Sequence, residues 1–386
     1  MGYLETALIA ITIVMLAVGL LYGFMRGAAR SVLRAVIVAA AVVVALCLRE
    51  KVATSVLSWN VGGVTVQDRI VSAIPENYAS FVSVVLPVVQ IVAAIVCFVV
   101  SLALLQWASM IVFAILKIVV RPRIFGHKFR LIGAIVGLAQ GAALAFFFCV
   151  PIVGVLTDVN ALTKAEYEGK TIVPVSEQYD FDKLESSDIY KIYRGIGGDF
   201  YAFVSKGKDG DGEVRSLSSQ VNGVVSAVRI ADIVSKMRGG LSDGFDATSA
   251  EAIRGYLADL GSLKNDLQEK DPAALDVLDE VIVAATKSLG LPVDMSEFSL
   301  KEIDFDKEGA FLGDLVAYEE KGEMPEIGEL VGKLAESTVV LPVLNGAEVK
   351  IPLSDGEKAE AEQALAALED KEQAQKIREL FGLAAS

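Results

Sequence analysis

Few side chains in this chain of 386 residues have the chemistry for catalysis or metal binding. His127 is the only histidine, and it lies in a basic stretch between Arg123 and Arg130. A Ser-His-Asp or Cys-His site in the long acidic half is therefore excluded. Cys47, Cys97 and Cys149 all sit inside apolar runs and read as small apolar residues of membrane helices. The polar half has no cysteine, so no disulfide framework can form there. The acidic run Asp209-Gly210-Asp211-Gly212-Glu213 resembles a fragment of a calcium loop. It lacks the glycine at the sixth position and the distal glutamate, and reads as a solvated turn. No catalytic residue, cofactor or metal is expected, and the chain does not read as an enzyme.

The informative residues are glycines, arginines and glutamines at fixed spacing. Gly19, Gly23 and Gly27 are spaced by four, as are Gly133, Gly137 and Gly141. On a helix each set falls on one face, where a partner backbone can approach and gain dispersion contacts that lipid does not supply. Each set adjoins a basic stretch, Arg26, Arg30 and Arg34 in one case and Arg121, Arg123, Lys128 and Arg130 in the other. Such charges fix which side of a bilayer is inside, and they suit contact with anionic lipid headgroups or an acidic partner. Gln90, Gln106 and Gln140 are the notable polar side chains within the apolar runs, and no Asp, Glu, Lys or Arg occupies a span centre. The absence of ionisable groups argues against a proton-coupled pump. The glutamines read as interhelical hydrogen-bonding groups, with a water-lined channel or carrier route as the competing reading.

These residues must be positioned by membrane helices. Mean hydropathy is +0.51 despite a net charge of -14, because two unlike regions are averaged. Residues 1–156 hold 11 Lys and Arg against 4 Asp and Glu, a net of +7, which leaves -21 for 157–386. Spans are expected at about 6–25, 31–48, 82–116 and 131–156. The run Ala35 to Leu48 is short, but it must cross if both basic stretches are to lie on one side, with Arg30 and Arg34 snorkelling from its first turns. Asn77 to Leu116 is uncharged, and two spans there would put the following basic loop on the wrong side. It reads as one long helix, kinked at Pro87.

Four spans with the basic loops inside place both termini, and the acidic region, outside the cytoplasm. Residues 157–386 read as mainly helical. Asp271 is the N-cap of a helix with Pro272 at its first position and Gly290 as its stop, and its apolar stripe runs through Leu275, Leu278, Ile282, Ala285 and Leu289. Capping boxes are expected at Thr248 with Glu251 and at Ser354 with Glu357. Asn345-Gly346 between β-favouring flanks predicts a small hairpin. The fold class is thus membrane all-α, a four-helix transmembrane bundle (1–156) followed by a mainly helical extracytoplasmic domain (157–386). Its partners are the lipid bilayer and a protein bound by the acidic domain. A homo-oligomer is left open, and nucleic acid is excluded for want of a basic face.

The glycine and arginine stretches, with four spans and a basic inner loop, resemble the CvpA (colicin V production protein) family of bacterial inner membranes over about the first 156 residues. In that family an arginine commonly precedes the last glycine of the second stretch, where this chain has Gln140. The resemblance implies a multi-pass inner-membrane protein with a part in toxin or bacteriocin production and in envelope homeostasis. Some relatives append an extracytoplasmic serine protease, which the single histidine rules out here.

Overall fold

The computed structural model describes residues 2–72, 82–119, 129–167, 169–171, 181–208, 214–241, 245–288, 299–321 and 326–383. It divides into two compact units. The first comprises Met1–Lys164, Val173–Asn222 and Ala284–Val293, and the second Ala165–Ile172, Gly223–Val283 and Asp294–Ser386. Packing thus groups residues beyond Asp158 with the membrane helices, although composition changes sharply there.

Four helices of the first unit are long and apolar enough to cross a bilayer. Helix α1 (Tyr3–Arg26) ends at Gly27, whose φ of 78° is a conformation that side chains other than glycine rarely adopt. Helix α2 (Ala28–Leu57) follows at once and absorbs the short run at Ala35 to Leu48 into a helix of 30 residues. A two-residue turn at Gly62-Gly63, both with positive φ, joins strands β1 (Asn60–Val61) and β2 (Val64–Thr65). The short helix α3 (Val66–Ser72) comes next. Helix α4 (Val82–Val119) is one unbroken helix of 38 residues with Pro87 inside it, about 57 Å long at 1.5 Å per residue. Helix α5 (Arg130–Thr163) carries Pro151 inside it. The most extensive packing joins α1 to α5 and α2 to α4, with α2 also against α5.

Beyond strands β3 (Glu166–Tyr167) and β4 (Lys170–Thr171) lie helix α6 (Phe181–Ser186) and helix α7 (Asp188–Val204), which pack on α1 and α5 of the first unit. A third hairpin pairs β5 (Lys206–Lys208) with β6 (Val214–Ser216).

The second unit is helical. Helix α8 (Leu217–Gly240) approaches helix α10 (Pro272–Ser288) at Gly223, where an added Cβ would lie 2.6 Å from Val277. In α10 Ala274, Leu275, Val277 and Leu278 are fully buried, while Ile282 and Ala285 are half-buried. Helix α9 (Ala247–Lys270) starts with a capping box, but its cap is Asp246 with Ser249, in place of the predicted Thr248 and Glu251. Asp246 offers a carboxylate oxygen 2.7 Å from the Ser249 amide, a stronger acceptor than a hydroxyl. Ser354 and Glu357 do form the capping box of α15 (Asp355–Ala367).

The predicted hairpin at Asn345-Gly346 is absent. Val340–Gly346 is instead a helix (α14), preceded by α11 (Phe305–Glu308), α12 (Leu312–Lys321) and α13 (Ile327–Ala335), and followed after α15 by α16 (Lys371–Leu380). The reason is local burial and an N-terminal cap. Val340, Leu341 and Leu344 are fully buried on one helical face. The buried Glu308 carboxylate accepts from the amides of Thr338, Val339 and Val340 and from the hydroxyls of Ser337 and Thr338. That carboxylate satisfies amides that a helix start leaves open. Pro342, in the first turn, needs no amide partner.

Candidate functional site

The two glycine triplets meet. A Cβ added at Gly23 would lie 2.0 Å from the Gly133 carbonyl oxygen, one at Gly137 would lie 2.1 Å from the Gly19 oxygen, and one at Gly141 would lie 2.5 Å from the Met15 oxygen. Chain order sets the pairing: Gly19 faces Gly137 and Gly141, and Gly23 faces Gly133 and Gly137, so α1 and α5 run antiparallel with bare backbone against bare backbone. Gly27 also borders Gly133, but its positive φ makes it the turn between α1 and α2.

Beside this seam the Gln140 amide donates to the Ser31 carbonyl at 2.8 Å, tying α5 to α2. Gln140 is 8% exposed, so this bond satisfies a side chain that apolar surroundings would otherwise leave without a partner. Gln90 borders a cleft of about 260 Å³ with Glu50, Thr54 and Gln67. Gln106 lies 16 residues, about 24 Å, further along α4, and its side-chain amide atoms are buried without a hydrogen-bond partner among the described residues. The three glutamines therefore have three different surroundings.

At the arginine end, the guanidinium carbons of Arg26 and Arg34 lie 3.6 and 3.8 Å from the centre of the Tyr22 ring. The ring's negative face holds both cations close to where α1 turns into α2. Arg30 is half-buried on the first turn of α2, and Arg130 is the exposed first residue of α5. Arg121, Arg123, Lys128 and His127 lie outside the described residues, as do Asp209 to Glu213.

The opposite end of the bundle carries a polar assembly that the sequence pattern did not single out. Helix α7 passes from α1 across α5 to α2. Tyr190 bonds Thr157 at 2.8 Å, Tyr193 bonds Thr12 at 2.8 Å, and Tyr201 donates to the Asp158 carboxylate at 2.5 Å. Ser218 donates to the same carboxylate at 3.0 Å. Burial, together with the neighbouring Asp158, holds the Tyr201 hydroxyl well above the ordinary phenol range, so it remains a donor. Burial likewise pushes Tyr193 up to about 12. Two glycine contacts let α7 sit close: Cβ atoms at Gly197 and Gly154 would strike Val150 and Tyr201. Arg49, 6% exposed, donates to the Phe203 carbonyl at 3.1 Å and so caps the C-terminal end of α7, where the helix dipole is negative. The signal was in the sequence: Tyr190, Tyr193, Gly197 and Tyr201 recur at three and four.

Among the described residues no group of His, Cys, Asp and Glu could hold a metal ion. Four membrane-length helices, two of them joined by a glycine seam, define a multi-pass membrane protein. Residues 9–177 match the family described as Colicin V production protein. That match covers the four membrane helices and stops before α7. No curated protein and no solved structure matches the chain.

Proposed function

We propose that this chain is a non-enzymatic scaffold of the bacterial inner membrane, acting in colicin V-type toxin production or in envelope homeostasis. In this reading the arginines face the cytoplasm, both termini lie outside it, and the acidic region binds a protein partner there. The observation that carries it is the charge division, +7 over residues 1–156 against -21 over 157–386, combined with Arg26, Arg30, Arg34 and Arg130 at one end of the helices. The family description supplies the biological setting. Protease added to intact spheroplasts is expected to digest 157–386, and protection of that region refutes the topology. Crosslinking from the same region in intact cells is expected to recover one defined protein, or a second copy of this chain in the case of a homo-oligomer. Recovery of only lipid and abundant bystanders sinks the partner claim.

The competing reading is a channel or carrier lined by Gln90, Gln106 and Gln140. Gln140 is already committed to a bond between helices, which favours the scaffold. Solute flux into liposomes that disappears in Gln90→Leu or Gln106→Leu would reverse that preference.

A further inference from the structure

Helix α7 has more apolar surface than the described residues cover. At about 100° per residue, Tyr190, Tyr193, Gly197, Tyr201 and Val204 cluster within about 40° of one direction, and all five are buried. Ile192, Ile196 and Phe203 cluster on the flank about 100–140° to one side, and they are 52%, 71% and 54% exposed. Lys191 and Arg194 lie on the other flank. The helix is thus apolar around half its circumference, while the bundle covers only half of that.

We propose that the Ile192, Ile196 and Phe203 flank is immersed in the acyl chains of the leaflet farther from the arginines, making α7 an amphipathic helix that fastens the bundle to that membrane boundary. Depth along the spans supports this occupant. Thr12, which meets Tyr193, lies 14 residues from Arg26, about 21 Å along α1. Gly154, which meets Tyr201, lies 21 residues from Gly133, about 32 Å along α5. A hydrocarbon core of about 30 Å therefore ends within the depth that α7 covers, between its contacts with Thr12 and with Gly154. The spans on which α7 packs and their neighbours expose apolar side chains of the same kind, since Val14 and Val18 on α1 and Val96 and Val100 on α4 are each more than half exposed. On the opposite flank Lys191 and Arg194 can reach headgroups, as an interfacial helix requires. Ser187 accepts from an amide at its start and Arg49 donates to a carbonyl at its end, so both ends of its backbone have protein partners. This holds whichever act the protein performs.

The test uses the full chain in phosphatidylcholine vesicles, with Trp59 and Trp107 replaced by Phe and one tryptophan introduced as Ile196→Trp or Lys191→Trp. Brominated acyl chains are expected to quench Ile196→Trp at least about twofold more than Lys191→Trp, with aqueous acrylamide showing the reverse order. Quenching of Ile196→Trp by acrylamide without quenching by bromine overturns the proposal. So does shielding from both quenchers, the result expected if a second copy or a protein partner covers the flank. Where Ile196→Trp does not fold, Phe203→Trp, aromatic for aromatic, reports on the same flank with the same two outcomes.

Discussion

Adding one methyl group at Gly23 should separate α1 from α5. The Cβ of Gly23→Ala would sit 2.0 Å from the Gly133 oxygen, 2.8 Å from the Gly133 carbonyl carbon and 3.0 Å from the Gly137 Cα. All three are backbone atoms, so no rotamer change relieves the clash. A carbon and an oxygen pack comfortably at roughly 3.3 Å, and the helices must therefore part by about 1.3 Å. A gap of that size forfeits about half of the dispersion attraction, and with roughly 20 close atom pairs at about 0.15 kcal/mol each the loss is near 1.5 kcal/mol. That value falls inside the range of about 1–3 kcal/mol typical of overpacked sites. It corresponds to about a tenfold drop in the folded-to-unfolded ratio. The assay is SDS titration in mixed micelles, followed by Trp59 and Trp107 fluorescence. Gly195→Ala is the control, because a Cβ there meets nothing within 4 Å. It should leave the midpoint unchanged or raise stability by about 0.5–1 kcal/mol through helix propensity. Gly137→Leu should be worse than Gly23→Ala, while Leu138→Ile, on an exposed position of the same helix, should be silent. Equal midpoints for Gly23→Ala and Gly195→Ala would refute the seam as a source of stability.

Three further expectations concern other parts of the chain. Arg49→Met removes the donor to the Phe203 carbonyl, so amide exchange in the last turn of α7 should rise about tenfold or more while the seam is unaffected, and unchanged exchange there would remove the capping role. Glu308→Ala leaves the amides of Val339 and Val340 and the Ser337 hydroxyl buried without their acceptor, which should destabilise the second unit by about 2–4 kcal/mol in denaturant titration of the full chain; a loss within error would show that water replaces the carboxylate. Asp246 and Glu357 are each held below the usual carboxylate range, first by the Ser249 amide and by the Ser354 hydroxyl respectively. A carboxylate depressed in the folded state stabilises it above the unfolded value of about 4, and this contribution disappears as pH falls through the folded value. Protection of the first turns of α9 and α15 should therefore weaken in acid, with Asp246→Asn and Glu357→Gln flattening that dependence; identical acid profiles for variant and parent would contradict it.

The amino-acid sequence alone determined the four spans, the shared face of each glycine set within its helix and the helical character of the acidic half. These features follow from local properties: 20 uncharged residues at Thr6 to Met25 are long enough for a crossing, and glycines every four residues must share a helix face. Even α4, ambiguous by length, was legible because only one crossing kept the basic stretches together. The tertiary structure decided what depends on distant partners. Asn345-Gly346 carries a strong hairpin signal, yet Glu308, 32 positions before Val340, caps a helix there and the core takes up Leu341 and Leu344. Asp158 marked a change in composition, but Tyr201 and Ser218 make it the point where α7 is tied to the end of the bundle. Pairing of the two glycine triplets with each other was also beyond the sequence, since spacing defines a face without naming what lies against it. A local pattern sets which surface a helix offers, and only the packed fold sets whether protein or lipid covers it.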